Sequence, residues 1–257
     1  MKNDKMFVLS GLGLAYGDIS FRALERLKNV SRIYMENYTS TIDKRYVDFI
    51  EKYTGKKIEE VKRISLEDDA KKFISAAKDA DIALLVPGDP LVATTHHILL
   101  DEAKENNIAF EIYHSSSIFS AAIGESGLDI YKFGPVTTIP FWTDKYKPTS
   151  FIDVISKNLS NGEHTLVLLD FDSRRNASMG LHEAISELKA ANSTYARKPL
   201  SDDSLIIVLN EIGRERSTIK AVSLENAIDL TVEEGTSCLI IPAKMNFAEE
   251  KAIDRFK

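Results

Sequence analysis

The stretch "DIALLVPGDPLVATTHH", from Asp81 to His97, constrains the fold of this chain more than any other. Ile82 to Val86 is an unbroken apolar run, which reads as a strand. It stops at Pro87-Gly88-Asp89-Pro90 and hands over to a helix predicted from Thr94 to about Glu105. A strand that stops so abruptly presents something at its end, and a strand handing over to a helix is one step of a βαβ pattern. The unit recurs. Met6 to Gly13 precedes a helix over Ser20 to Val30 with Phe21, Leu24 and Leu27 on one face, and Arg32 to Glu36 gives the next strand. Tyr46, Phe49, Ile50 and Tyr53 fall at helical spacing, and Ser65 with Asp68 predicts a capping box ahead of Leu66, Ala70, Phe73, Ile74 and Ala77. The strand "IAFEIYH" ends at Ser115-Ser116-Ser117, before the apolar "IFSAAI".

Past Gly134 the texture changes. "GPVTTIPFWTDKYKPTS" holds three prolines and several aromatics, a connection or a substrate-side segment. The expected organisation is an N-terminal α/β domain over residues 1–134 and a C-terminal α/β domain over 135–257, each large enough to bury its own core. The second half reads as strands at His164 to Asp170, Ser204 to Glu211, Thr218 to Val222 and Ser237 to Pro242. Helices fall near Ser150 to Leu159, Met179 to Ala190 and Leu224 to Leu230. A cleft between two such domains is a natural ligand site.

Several function classes fall away. The single Cys238 allows neither an internal disulfide nor a cysteine-based zinc site, and "SCLIIPA" reads as core. A net charge of −6 without a basic stripe argues against nucleic acid. No apolar run reaches the roughly 18 residues of a membrane span, and "MKNDK" leads into a strand rather than a signal segment, so a soluble, cytoplasmic protein is expected. "GLGLAYG" fails the dinucleotide fingerprint because Tyr16 stands at its third glycine, and no Gly-Lys-Ser/Thr supplies a phosphate loop. His96 and His97 are adjacent, and His114, His164 and His182 are scattered, so no metal site is expected. No side chain declares itself catalytic.

What remains is a site made of turns. Ligands of open α/β sheets sit outside the carboxyl ends of strands, where Gly11-Leu12-Gly13-Leu14, Pro87-Gly88-Asp89-Pro90 and Ser115-Ser116-Ser117 fall. Asp89 either accepts hydrogen bonds from a ligand or caps the helix that follows. Such a site suits a cofactor that brings its own chemistry.

The motifs "SGLGLAYGDIS", "VPGDPLVATTHHIL", "HSSSIFSAAIGESGLDIYKFG", "KPTSFIDVI", "HTLVLLDF" and "DDSLIIVLNEIG" follow one another in the order and spacing of the diphthine synthase family, which this chain resembles from about residue 6 to 243. The resemblance implies two α/β domains of the tetrapyrrole methylase type with the cofactor in the interdomain cleft, and a homodimer. It implies an S-adenosyl-L-methionine-dependent methyltransferase that releases S-adenosyl-L-homocysteine. The substrate would be translation elongation factor 2 carrying a 3-amino-3-carboxypropyl group on a histidine, whose amine becomes a trimethylammonium. Cofactor contacts carry over to Leu14, Asp89, Val92, Ser117, Ile118, Leu169 and Ile212, and to Ser237, where the family places a histidine. Tyr131, Phe133, Phe141 and Trp142 are aromatic candidates for the cationic product, with Lys145 and Lys147 for the substrate carboxylate. Two other readings stay open: a methyltransferase acting on tetrapyrroles, and a non-catalytic paralogue that holds elongation factor 2.

Overall fold

The computed structural model describes residues 5–40, 42–172 and 177–257, so residues 1–4 of the charged N-terminus lie outside it. The chain divides into two compact units, Met1–Ser117 and Ile118–Lys257.

The first unit runs β1 (Met6–Gly11), α1 (Phe21–Leu27), β2 (Arg32–Glu36), α2 (Lys44–Thr54), β3 (Ile58–Val61), α3 (Arg63–Leu66), α4 (Ala70–Ser75), β4 (Ile82–Val86), α5 (His97–Glu105) and β5 (Ala109–Tyr113). The five strands pair in parallel in the order β3-β2-β4-β1-β5. Successive side chains of a strand point to opposite faces, and both faces here are covered. Phe7, Leu9, Leu84 and Val86 pack with Leu66, Ile74, Leu99 and Ala103, while Val8, Ala83 and Leu85 pack with Leu24, Leu27, Tyr46 and Ile50. This explains the unbroken apolar run of β4. Each leucine removed from water there contributes about 1.5–3 kcal/mol.

Two local expectations are corrected. The helix expected from Thr94 begins at His97: before it, the Thr94 hydroxyl donates to the Pro90 carbonyl (2.8 Å) and His96 Nδ1 lies 3.1 Å from the same oxygen, holding residues 94–96 in the turn. The expected capping box does not form. Ser65 lies inside α3, and the N–H groups of Asp68 and Asp69 both bond the Ile64 carbonyl, closing α3 before α4 starts.

The second unit runs α6 (Ile118–Ser126), β6 (Thr137–Ile139), α7 (Ser150–Asn161), β7 (Thr165–Leu169), β8 (Phe171–Asp172), β9 (Ala177–Ser178), α8 (Leu181–Thr194), β10 (Leu205–Asn210), β11 (Thr218–Ser223), α9 (Leu224–Ala227), β12 (Ser237–Ile241) and α10 (Phe247–Ile253). Its sheet has the order β11-β10-β12-β7-β6, antiparallel except where β6 meets β7. Helices α7 and α8 cover one face around Val167, Val208 and Leu239. The other face joins Leu166, Ile207, Leu209, Cys238 and Ile240 to Ala122 of α6, Leu128 and Ile253 of α10. Since α6 belongs to this core, the change of texture at Gly134 lies inside the second unit, and the boundary expected between residues 134 and 135 is displaced to Ser117/Ile118. Cys238 is buried as expected, and burial pushes its thiol up to about 12.

One buried carboxylate closes this unit. Glu249 accepts from His164 Nε2 (2.9 Å), Lys132 Nζ (2.5 Å) and the N–H groups of Asp129 (3.0 Å) and Asn246 (2.8 Å). His164 is itself fully buried, and its Nδ1 accepts the Ala243 N–H (2.9 Å), so its ring proton sits on Nε2. Burial disfavours the Glu249 charge, yet the bonds from Lys132, Asn246, His164 and Asp129 outweigh it and hold the carboxyl at about 2. A carboxyl whose folded pKa lies below its unfolded value stabilises the fold above the unfolded value and loses that contribution as pH falls through the folded one. Unfolding free energy should therefore decline between about pH 4.5 and about pH 2. Glu249→Gln, read by denaturant titration, should cost about 2 kcal/mol at neutral pH and flatten that decline.

Candidate functional site

The carboxyl ends of β1, β4 and β5 meet at glycines. The Leu12 N–H bonds the Val86 carbonyl (2.8 Å), and Gly13 and Gly88 exchange both backbone bonds (3.0 and 2.9 Å), tying the turn after β1 to the turn after β4. Gly13 and Gly88 both lie in the left-handed region (φ 79° and 69°), which favours glycine. A Cβ on Gly11 would stand 2.5 Å from the Gly88 carbonyl oxygen, 2.9 Å from Pro90 Cδ and 3.0 Å from Ser115 Cβ. The glycines read as a ligand cradle thus first let three turns touch one another.

Two carboxylates organise these turns. Asp18 Oδ2 accepts from the N–H groups of Leu14 (3.0 Å) and Ala15 (3.1 Å) and from the Ser116 hydroxyl (2.6 Å), and the Ser115 hydroxyl donates to the Asp18 carbonyl (2.9 Å). Backbone N–H groups at such a turn are what a phosphate would take. Here an internal carboxylate has taken them, a physical reason for the failed dinucleotide fingerprint. Asp89 is buried, and its Oδ1 accepts the Leu91 N–H (3.0 Å). Its Oδ2 lies 2.8 Å from His114 Nδ1 and accepts the Ser115 N–H (3.2 Å). Asp89 fixes its own turn and the end of β5 rather than capping α5, which starts at His97 without a side-chain cap.

A second tie reaches β2. His96 is buried; its Nδ1 lies 3.1 Å from the Pro90 carbonyl oxygen and its Nε2 lies 3.3 Å from the Tyr38 hydroxyl. Burial holds its imidazole below the usual range against the pull of the Pro90 bond. Glu36, at the end of β2, accepts the Tyr38 (2.9 Å) and Thr39 (3.2 Å) N–H groups and the Thr39 hydroxyl, and burial, opposed by these bonds, pushes its carboxyl up to about 7.

Of the residues expected to hold a cofactor, Leu14, Asp89, Val92 and Ser117 lie on this edge of the first unit. The Leu14 N–H is engaged by Asp18 and Ser116, Val92 sits in the turn begun by Asp89, and Ser117 is buried. The other four belong to the second unit. Ile118 opens α6 and Leu169 ends β7, both half-buried against apolar layers. The Ile212 side chain is buried beside Leu209 and Cys238, which leaves its backbone as the group able to meet a ligand. The Ser237 hydroxyl accepts from Asn210 Nδ2 (3.0 Å) across the β10–β12 pair.

Among the aromatic candidates, Phe133 packs edge-on against His164, and Phe141 and Trp142 pack on the second core. Lys147 stands 5.8 Å from the Trp142 ring centre, so that ring already faces a cation, whereas Tyr131 is 94% exposed. Among the described residues no group of three or more histidine, cysteine or acidic side chains could hold a metal ion. Sequence reasoning placed Ser116 at the site, within the Ser115-Ser116-Ser117 strand end, but missed Asp18, His114 and Tyr38; only the polar residues near the strand ends hinted at the first two.

The chain matches the tetrapyrrole (corrin/porphyrin) methylases over residues 6–228. It is 37% identical to a diphthine synthase of Methanothermobacter thermautotrophicus, over 95% of this chain and 92% of that protein. It is 36% identical to a diphthine synthase of Methanocaldococcus jannaschii, over 96% and 97%. A crystal structure of a diphthine synthase superposes with a TM-score of 0.87 at 28% identity, covering 98% of this chain and 95% of that one.

The contact at Gly11 makes a direct prediction. Gly11→Ala must push the turns after β1 and β4 apart, and overpacking of this kind should cost about 1–3 kcal/mol, measured as a lower denaturant midpoint.

Proposed function

The chain belongs to the diphthine synthases of the tetrapyrrole methylase family, and from that premise we propose that it carries a methyl group from S-adenosyl-L-methionine to the amine of a 3-amino-3-carboxypropyl histidine in translation elongation factor 2. As a family member it is a methyltransferase of diphthamide biosynthesis. The observation that carries the cofactor reading is the carboxyl edge of the parallel sheet, with Gly88 opening its turn and Asp18 and Asp89 its anchoring carboxylates. Such an edge fits a cationic sulfonium bearing sugar hydroxyls: it offers carboxylate and serine oxygens, and its Leu14 and Ala15 amides are already spent on Asp18 rather than open to a phosphate.

In this reading Leu14, Asp89, Val92 and Ser117 hold the cofactor from the first unit. The resemblance adds Ile118, Leu169, Ile212 and Ser237 from the second, Ile212 through its backbone. When bound, the cofactor supplies a methyl group activated by its sulfonium. The chain's own task is to align the acceptor and keep water out, since proximity is the main lever in such a displacement. Held by Leu14, Asp89, Val92 and Ser117, the donor would supply its methyl group to the lone pair of the amine and would keep the electron pair on sulfur. The reading further includes a homodimer working in the cytoplasm; no helix among the described residues is long and apolar enough to cross a membrane.

The alternative within the family is a tetrapyrrole acceptor. Against it stands the turn after β1, where Gly13-Leu14-Ala15-Tyr16-Gly17-Asp18 stands in place of the Pro-Gly-Asp-Pro expected of such enzymes. Incubation with methyl-labelled cofactor and either modified elongation factor 2 or a uroporphyrin-type acceptor separates the readings: label should enter the protein acceptor alone, and label in the tetrapyrrole, or in neither, contradicts the proposal. Asp89→Ala removes a hydrogen-bonded carboxylate and should weaken cofactor binding by about 1.5–3 kcal/mol, roughly 10- to 150-fold in Kd. Calorimetry on the folded variant checks this, and an unchanged Kd would remove Asp89 from the cofactor site.

A further inference from the structure

The pair formed by His114 and Asp89 has a layout the turns alone do not require. Asp89 already receives the Leu91 and Ser115 N–H groups, enough to fix its turn. His114 adds a third bond, Nδ1 to Oδ2 at 2.8 Å, yet its side chain is 67% exposed against 6% for Asp89. A carboxylate only accepts, so the bond to Asp89 places the ring proton on Nδ1 and leaves the Nε2 lone pair available. Among the described residues Nε2 has no hydrogen-bond partner, and the ring stands at the carboxyl end of β5 beside the turns assigned to the cofactor. A buried carboxylate that orients an accessible imidazole is the arrangement of a general base.

Resting on the diphthine synthase reading, we propose that His114 is the proton acceptor for the substrate amine, held by Asp89 so that Nε2 takes the proton each ammonium must lose before its nitrogen can accept a methyl group. The balance is simple. The N–H bond of the substrate ammonium breaks, its electron pair stays on nitrogen as the attacking lone pair, and the proton bonds to Nε2. The imidazolium then releases it to water through its exposed face. Every transfer to nitrogen produces a new ammonium, so the cycle repeats until the trimethylammonium has no proton left to give. A solvent-exposed base suits this repetition because it resets without the product leaving. Around His114 the titratable groups are Asp89 on the ring, Asp18 bonded to the neighbouring Ser115 and Ser116, and Tyr113 and Glu111 before it on β5. Of these Asp89 bonds the ring.

The test uses His114→Asn, whose side-chain amide can still donate to Asp89 but has no basic nitrogen. Calorimetry with S-adenosyl-L-homocysteine and thermal unfolding should match the wild type. Methyl transfer to modified elongation factor 2 should fall about 100-fold near neutral pH. The deficit should narrow above about pH 8, where an α-amino group deprotonates unaided, and added imidazole should restore part of the rate. Equal pH profiles for variant and wild type, or a deficit that is uniform with pH and unaffected by imidazole, would each overturn the assignment. If the wild type itself transfers no methyl to elongation factor 2, the parent reading falls and takes this one with it; a working wild type with an unimpaired variant removes His114 alone.

Discussion

The carboxylate of Asp89 is the interaction on which the site depends. From one buried position it joins the turn after β4 to the end of β5, across the end of β1, by accepting from Leu91, Ser115 and His114. The crossing is possible because Gly11 has no side chain where the Gly88 carbonyl, Pro90 and Ser115 converge. Asp18 does the same for the turn after β1, holding the Leu14 and Ala15 amides and the Ser116 hydroxyl. The carboxyl edge of the parallel sheet is thus a set of small-residue turns pinned by two acids. Such a surface favours a cation over a phosphate, in keeping with a sulfonium methyl donor.

The second unit uses the same device for a structural end. Glu249 gathers Lys132, His164 and the Asp129 and Asn246 amides, and so fastens α10 to the segment after α6 and to the start of β7. The difference lies in exposure. His164 is fully buried with both ring nitrogens engaged, whereas among the described residues the exposed His114 has a partner on Nδ1 alone. These carboxylate–imidazole pairs therefore have different capacities: the Asp89–His114 pair is placed to exchange a proton with a ligand and the Glu249–His164 pair is not.

Much of the architecture was legible because hydrophobic period alone determines it. Ile82 to Val86 reads as a strand from its unbroken apolar run, and it is one, with Leu84 and Leu85 covered by opposite layers. Local signals that compete with tertiary structure were less reliable. Thr94 and Thr95 look like a helix start, but Thr94 and His96 both bond the Pro90 carbonyl, and α5 waits for His97. The capping pattern at Ser65 and Asp68 gave way to two short helices that bury Leu66 and then Ala70 and Ile74. The unit boundary was misplaced because prolines after Gly134 speak louder in sequence than the apolar face of α6, which Leu166 and Ile240 recruit from far along the chain. Asp89 stood out beside its glycine. Asp18 and His114 did not, since their significance lies in partners across the sheet, His114 in Asp89 and Asp18 in Ser116.

If the pinned turns at the carboxyl edge of the first sheet receive the methyl donor, backbone amide NMR of the protein titrated with S-adenosyl-L-homocysteine will show it. Saturable shifts should be largest over residues 12–18, 87–92 and 114–118, while the β3 and α2 amides stay still. Saturable binding whose shifts leave those three turns untouched would contradict it.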